Sequence, residues 1–199
     1  MTRGVVWVVV GARARELLPR ARGALEEFCP GLPHIVIEEP RSPVPDATDL
    51  QLSRWGKLSL LDESPFDYTA YLDVDTQLYR DIGPGFDILA DGWDIAIAPS
   101  QNQSDDDLLW HIGSADKKLT LRTLMYTPLQ LQAGVMFVSR NSRTQELFSI
   151  WQEEWMSFQD QDQGALLRAL QRVPVKLWLL GRPWNGGYII GHRFGDLHR

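Results

Sequence analysis

The sequence predicts an α/β fold built on a mainly parallel sheet, and three observations carry that prediction. Apolar, β-branched runs alternate with stretches of helical period. Segments rich in proline and glycine separate them. The first three elements read strand, helix, strand, the unit that lays parallel strands side by side. The 199 residues suit one domain around one core, and a hydrophobic share of 44% excludes a chain that is disordered throughout.

Gly4 to Val10 is a continuous apolar run, as a strand buried on both faces requires. Arg3 before it and Ala12-Arg13-Ala14 after it faintly imitate a signal peptide. The run is at the short end for one, and a buried first strand accounts for it better. Gly11 follows, and Arg15 to Phe28 reads as a helix with Leu17, Leu18, Ala21, Ala24, Leu25 and Phe28 to one side. Pro30-Gly31-Leu32-Pro33 stops it, and His34 to Ile37 is the second strand.

Glu39 to Ala47 holds too much proline for regular structure. Leu52 to Leu61 is expected as a helix, with Pro65 beyond its end. Tyr68 to Leu72 is an apolar strand that runs straight into Asp73-Val74-Asp75. Phe86 to Leu89 reads as a short helix, and Asp94 to Ala98 as a strand closed by Pro99. Gln101 to Tyr126 starts polar, with Asp105-Asp106-Asp107, and has no clear period. It is expected as a surface excursion, an acceptor-side loop or lid. Gly134 to Ser139 is a strand, and Ser142 to Ser157 an amphipathic helix carrying Leu147, Phe148, Ile150, Trp151 and Trp155. Gly164 to Leu170 is a second helix, Val175 to Leu180 a last strand, and the glycine-rich tail is expected to be irregular.

A formal net charge of -6 argues against a nucleic-acid partner, which favours a basic face. The single cysteine, Cys29, allows no intrachain disulfide, so a reducing cytoplasm is the expected setting. No apolar run is long enough for a transmembrane segment. The eight tryptophans serve as packing or as platforms for sugars.

Parallel sheets place ligands beyond the carboxyl ends of their strands, where Asp73 and Asp75 stand. Two carboxylates one residue apart, leaving an apolar strand, turn toward one cation if the backbone bends there, and hard oxygen ligands suit Mg²⁺ or Mn²⁺. Such an ion neutralises a diphosphate and stabilises it as a leaving group. The plainer reading is that one aspartate caps the next turn and the other is solvated.

More of the chain shares one pattern. Arg54-Trp55-Gly56-Lys57 precedes Tyr71-Leu72-Asp73-Val74-Asp75-Thr76. Leu131-Gln132-Ala133-Gly134-Val135-Met136-Phe137 follows, then Asp162-Gln163 before a helix, then Pro183-Trp184-Asn185, then His192. In that order, over roughly residues 50–195, these segments resemble the GT-A glycosyltransferases, particularly the family-8-like nucleotide-diphospho-sugar transferases.

The resemblance implies a Rossmann-like GT-A fold over residues 1–199, with 1–75 the nucleotide-binding half and 76–199 the acceptor and catalytic half. It implies a hexosyltransferase-like enzyme that takes a nucleotide-diphosphate sugar, with UDP the default base, and serves a glycan, lipid or protein acceptor. Asp73, Asp75 and His192 are then the metal ligands, and imidazole among them makes Mn²⁺ more natural than Mg²⁺. The plain alternative for His192 is a surface residue in a glycine-rich tail, and His198 competes for its role.

Lys57 resembles the lysine that meets the donor's phosphates, its alternative being an exposed helix residue. Asp162 and Gln163 resemble the acid and amide that contact the transferred sugar, although Asp162, or Asp160, is also placed to cap the helix that follows. Gly134 lets the donor approach the backbone. Trp184 and Asn185 line the sugar or acceptor pocket, or Trp184 simply packs. Gln132 departs from the asparagine usual in that family and carries one more methylene. Family members often continue past the equivalent of His192 into an acceptor-binding segment, and this chain ends at Arg199.

Other classes fit less well. A haloacid-dehalogenase-type phosphatase wants Thr or Val at the fifth position from its first aspartate, where this chain has Gln77. A nucleotidyltransferase wants a glycine-rich basic loop after the first strand, and Gly11-Ala12-Arg13-Ala14-Arg15 is a poor version of it. A non-catalytic relic of the fold that binds sugar nucleotide or glycan stays open, since fold does not guarantee activity.

Overall fold

The computed structural model describes residues 1–100, 112–124 and 129–192. Strand β1 (Arg3–Val8) is buried along nearly its whole length, with Val5 and Val6 at 0% exposure, so it lies inside the sheet with helices on both faces. It pairs in parallel with β2 (His34–Ile37) on one side and β3 (Tyr68–Leu72) on the other. β3 in turn meets β6 (Leu131–Ser139) antiparallel, β6 meets β5 (Ile95–Pro99) antiparallel, and β5 carries β7 (Leu177–Leu179) in parallel at the edge. The order is β2-β1-β3-β6-β5-β7, and β6 alone in that sheet runs against the rest.

Helices cover each face. On one side α2 (Asp49–Leu58), α3 (Leu60–Glu63), α6 (Ser142–Met156) and α7 (Asp162–Arg172) close a core that includes Leu58, Leu60, Trp151, Trp155 and Leu166. On the other side α1 (Gly11–Phe28) and α4 (Gly83–Ala90) bury Leu18, Leu25, Phe86 and Leu89 against Val5, Ala70 and Phe137. Trp7, Trp151 and Trp155 are fully buried and serve packing, whereas Trp178 is 42% exposed.

Several boundaries differ from the sequence reading, each for a local reason. α1 starts at Gly11, whose positive φ of 83° turns the chain out of β1 directly into the helix, and it tolerates Pro19 on an exposed face. α2 starts three residues early, where Thr48 and Gln51 form a reciprocal capping box, and the helical stretch breaks at Ser59. α6 begins at a second such box, Asn141 with Thr144.

The stretch expected as an irregular excursion contains α5 (Ser114–Thr123). Its Asp116 and Thr120 are buried because the equally buried Arg168 of α7 donates to both. Asp105-Asp106-Asp107 lies outside the described residues. The tail is not irregular either. A 3-10 turn (Arg182–Trp184) leads to β8 (Ile190–His192), which pairs antiparallel with β4 (Thr76–Leu78), a strand just past Asp75.

Asp94 ties the far end of the sheet to α6. It is 1% exposed and accepts from Arg143 Nε (2.9 Å) and Nη2 (2.7 Å), Asn141 Nδ2 (2.9 Å) and the Lys176 N–H (2.8 Å). Burial alone would lift its pKa, but these donors outweigh burial and hold it below the ordinary value of 3.8. Its stabilising contribution is therefore present above that value and is lost as pH falls through the folded pKa. Asp94→Ala is expected to lower the unfolding free energy by about 2–4 kcal/mol in urea at pH 7. The difference from the parent should shrink below about pH 4, where the parent's carboxylate protonates too.

Candidate active site

β3 delivers Asp73 to the mouth of the sheet. The Asp73 N–H continues the ladder to the Gly134 carbonyl at 2.7 Å. The backbone then turns, because Thr76 donates to the Asp73 carbonyl from its N–H (3.0 Å) and its hydroxyl (2.7 Å). That turn starts β4, whose Thr76 stands opposite His192 in β8. The ladder thus brings a histidine from the end of the chain to two aspartates more than a hundred residues earlier. One ligand atom from each of Asp73, Asp75 and His192 lies within 4.8 Å of the others.

His192 Nε2 is 3.2 Å from Asp75 Oδ1 and 3.8 Å from Asp73 Oδ2. Its other ring nitrogen, Nδ1, is 2.7 Å from Asn185 Oδ1. An amide oxygen only accepts, so Nδ1 is the ring nitrogen that donates to Asn185, and Nε2 is the one nearer the carboxylates. One imidazole nitrogen and two carboxylate oxygens so placed can share a cation.

Two further features fit a metal ion. Asp75 Oδ1 is buried and, among the described residues, has no hydrogen-bond partner, since its approach to Nε2 lacks hydrogen-bond geometry. Gly134 lets two of these side chains close onto the β6 backbone: a Cβ there would lie 2.4 Å from His192 Cε1 and 2.5 Å from Asp73 Oδ2. Residues Asp73, Asp75 and His192 therefore suit Mn²⁺ or Mg²⁺ in donor type and convergence.

The other Asp73 oxygen, Oδ1, accepts from the Tyr71 hydroxyl at 2.7 Å and lies 3.5 Å from Lys57 Nζ. Lys57 donates to Asp162 Oδ2 at 2.8 Å. Burial would lower the lysine's pKa, but Asp162 and Asp73 outweigh it, so the pKa lies above the ordinary value and the ammonium stays charged. Burial would likewise raise Asp162, yet Lys57 and Arg54 hold it below the usual carboxylate value. Burial, and then Asp73, push the Tyr71 phenol well above its ordinary range, so it remains a donor. Asp73 and Asp162 flank the buried ammonium, Arg54 adds positive charge near Asp162, and Asp75 with Asp73 and His192 forms the group that a divalent cation would suit.

Asp162 does not cap α7. Gln161 occupies the N-cap and Asp162 is the first helical residue, its carboxylate held by Lys57 and its carbonyl accepting from Trp151 Nε1 at 2.9 Å. Nor is Asp160 the cap. Gln163, beside it, bonds Gln132 across to β6 and Gln130 behind it. Trp184 packs edge-on against Phe137 with ring centres 5.6 Å apart. Asn185, 4% exposed, reaches His192 directly. His198 lies outside the described residues.

Sequence reasoning missed Tyr71, Arg54 and Gln130. Each had a weak signal in its spacing. Tyr71 shares a strand face with Asp73, Gln130 precedes Gln132 by two in extended chain, and Arg54 precedes Lys57 by three on α2. Arg54 Nη2 donates to Gln161 Oε1 at 2.7 Å and so fixes the residue before Asp162.

Solved structures share this architecture. The galactosyltransferase LgtC, solved in complex with donor and acceptor sugar analogues, matches with a TM-score of 0.59 over 89% of this chain and 73% of its own, at 14% identity. The fold is GT-A. Mouse xyloside xylosyltransferase 1 matches with a TM-score of 0.58 over 93% of this chain and 87% of its own, at 12% identity. The bifunctional glycosyltransferase WbbM gives 0.63 over 90% of this chain and 38% of its own, at 13% identity. No protein-family model matches this chain, and no curated protein sequence is similar to it.

The contact of Asn185 with His192 can be tested by binding. Residues that orient a metal-bound histidine typically contribute about 10–100-fold in metal affinity. Asn185→Ala is expected to weaken Mn²⁺ binding by that order in calorimetry. An unchanged affinity would show that His192 needs no such orientation.

Proposed function

We propose that the chain is a metal-dependent glycosyltransferase, moving a sugar from a nucleotide-diphosphate sugar, with UDP the preferred base, to a glycan, lipid or protein acceptor. One observation carries this reading: Asp73, Asp75 and His192 converge at the carboxyl end of β3, with a buried acceptor that lacks a donor among the described residues and a glycine that lets the ligands close onto β6. The GT-A fold supports the same reaction class. So does the charge balance, which suits a cation beneath a diphosphate.

When bound, Mn²⁺ or Mg²⁺ would neutralise the diphosphate and stabilise it as a leaving group. The chain's own residues do the rest. Asn185 and the β4–β8 ladder hold the imidazole in one orientation. Tyr71 and Lys57 hold the outer oxygen of Asp73, leaving Oδ2 toward His192. Lys57 stays protonated and adds a fixed positive charge on the leaving-group side. Asp162 and Gln163, at the start of α7, position the sugar, and Gly134 lets it approach β6.

In this division residues 1–75 supply the nucleotide side, while 76–199 supply the sugar and acceptor side and return His192 to the metal group. No described helix is long and apolar enough to cross a membrane. The single, buried Cys29 supports a cytoplasmic setting.

A thermal-shift panel of nucleotides with and without Mn²⁺ tests the proposal. A ligand at about a hundred times its Kd adds roughly 2.7 kcal/mol to the folded state. The expected result is a Mn²⁺-dependent rise in Tm with one nucleoside diphosphate, absent in Asp75→Ala. Silence across the whole panel would sink the donor-site reading. Lys57→Met should lower transfer about 100-fold, the typical loss when one fixed donor at a developing charge is removed. Full activity in that variant would remove Lys57 from the mechanism.

A further inference from the structure

β8 carries the histidine of the metal group, yet by itself it is a weak strand. It holds three residues, Ile190–His192, and its partner β4 is equally short. A two-stranded pair is marginal in water. Gly191, at the centre of β8, adds backbone freedom that an ordered strand must give up. Ile190, at 0% exposure, anchors one side of that glycine in the core. His192, on its other side, reaches Asp75 and Asp73. How firmly Gly191 is held therefore decides how firmly the imidazole is placed.

Tyr79 does the holding. Its N–H extends the ladder past Leu78 to the Ile189 carbonyl at 2.9 Å. Its ring lies against Gly191. A Cβ at Gly191 would stand 2.7 Å from Tyr79 Cε2 and 3.3 Å from both Cζ and the hydroxyl oxygen, and its three nearest neighbours all belong to that side chain. Gly191 is not in the left-handed region, so its backbone admits any residue. The tyrosine ring, and not the backbone, calls for glycine here. An aromatic ring laid over a facing glycine restores the packing that glycine lacks. At 45% exposure the ring does not serve the core. No hydrogen bond of its hydroxyl is seen among the described residues, so the contact is one of ring against backbone.

We propose that Tyr79 is a positioning residue of the metal group, clamping Gly191 from outside so that β8 keeps His192 turned to Asp73 and Asp75. This deepens the metal-site reading and rests on it. On the inner side Gly134 lets the imidazole close onto β6, and Asn185 meets Nδ1. Tyr79 supplies the outer grip, on the strand itself. The two partners need each other: the ring fits only over glycine, and the glycine is ordered only under the ring.

Mn²⁺ binding to the full chain, read by calorimetry, tests the clamp, with Tm measured alongside to separate lost placement from lost folding. Tyr79→Ala should weaken Mn²⁺ about fivefold, the upper end for one cross-strand aromatic pair. Tyr79→Phe keeps the ring and should bind as the parent does. Gly191→Ala drives the ring aside and should weaken Mn²⁺ by a similar factor. Combining Tyr79→Ala with Gly191→Ala should bind more tightly than Tyr79→Ala alone, because the new methyl meets no ring and alanine has less backbone freedom to lose than glycine. Without metal, the β8 amides should exchange faster with solvent in Tyr79→Ala than in the parent, and the β1 amides at the same rate.

A lower Tm in Tyr79→Ala with unchanged Mn²⁺ affinity would overturn the clamp and leave the metal group standing. So would an equal loss in Tyr79→Phe, a further loss in the combined variant, or unchanged β8 exchange. Failure of Mn²⁺ to bind the parent would remove the metal group, and the clamp's role with it.

Discussion

Crowded negative charge is the constraint around which this GT-A domain is arranged. Asp73, Asp75 and Asp162 converge where the sheet opens, and of the three Asp75 and Asp162 are almost wholly withdrawn from water. Buried carboxylates persist only when compensated. Lys57 compensates part, bridging Asp162 and Asp73 from α2, and Tyr71 satisfies one more acceptor. The remainder falls between Asp75 and His192, where a buried carboxylate oxygen has no hydrogen-bond partner among the described residues. That imbalance is local, since the buried cluster around Arg168 is matched. Arg168 there is met by Asp116 and Glu154, and Arg172 adds a second cation to Glu154.

The topology serves the same end. Because β6 runs antiparallel, its beginning, not its end, lies beside the carboxyl end of β3, which is why Gly134 and Gln132 border the aspartates. An all-parallel neighbour would have put its amino-terminal residues at the far end of the sheet. The β4–β8 ladder adds a second, two-stranded layer over the mouth and fixes His192 by register.

α2 is the strut that holds the two halves of the site in step. Along one side of it, Gln51 donates to the Gln159 carbonyl, Arg54 to Gln161 and Lys57 to Asp162. Those three partners form the turn into α7. The start of α7, where Asp162 and Gln163 stand, is thus clamped to the helix that carries the lysine. Gln159 itself has a positive φ of 54°, a strained value that the contact with Gln51 helps to hold.

Much of this was legible from residues alone. The β-branched run of β1, the period of α1 and α6, and the apolar approach of β3 to Asp73 are local patterns, and local patterns are what a sequence states directly. The order of motifs pointed to the GT-A class and to Asp73, Asp75 and His192 as one group. The tail strand was not legible, because three residues of Ile190–His192 carry no period and their partner β4 is equally short. α5 was missed because its buried face is polar, held by Arg168 and not by apolar contact. The sequence by itself determined the kinds of element, their order and the residue types able to bind a cation. Which of those residues meet, which way the imidazole points, and that Asp162 pairs with Lys57 instead of capping a helix were decided by tertiary structure. Long-range pairing sets these distances, and separation along the chain carries no record of it.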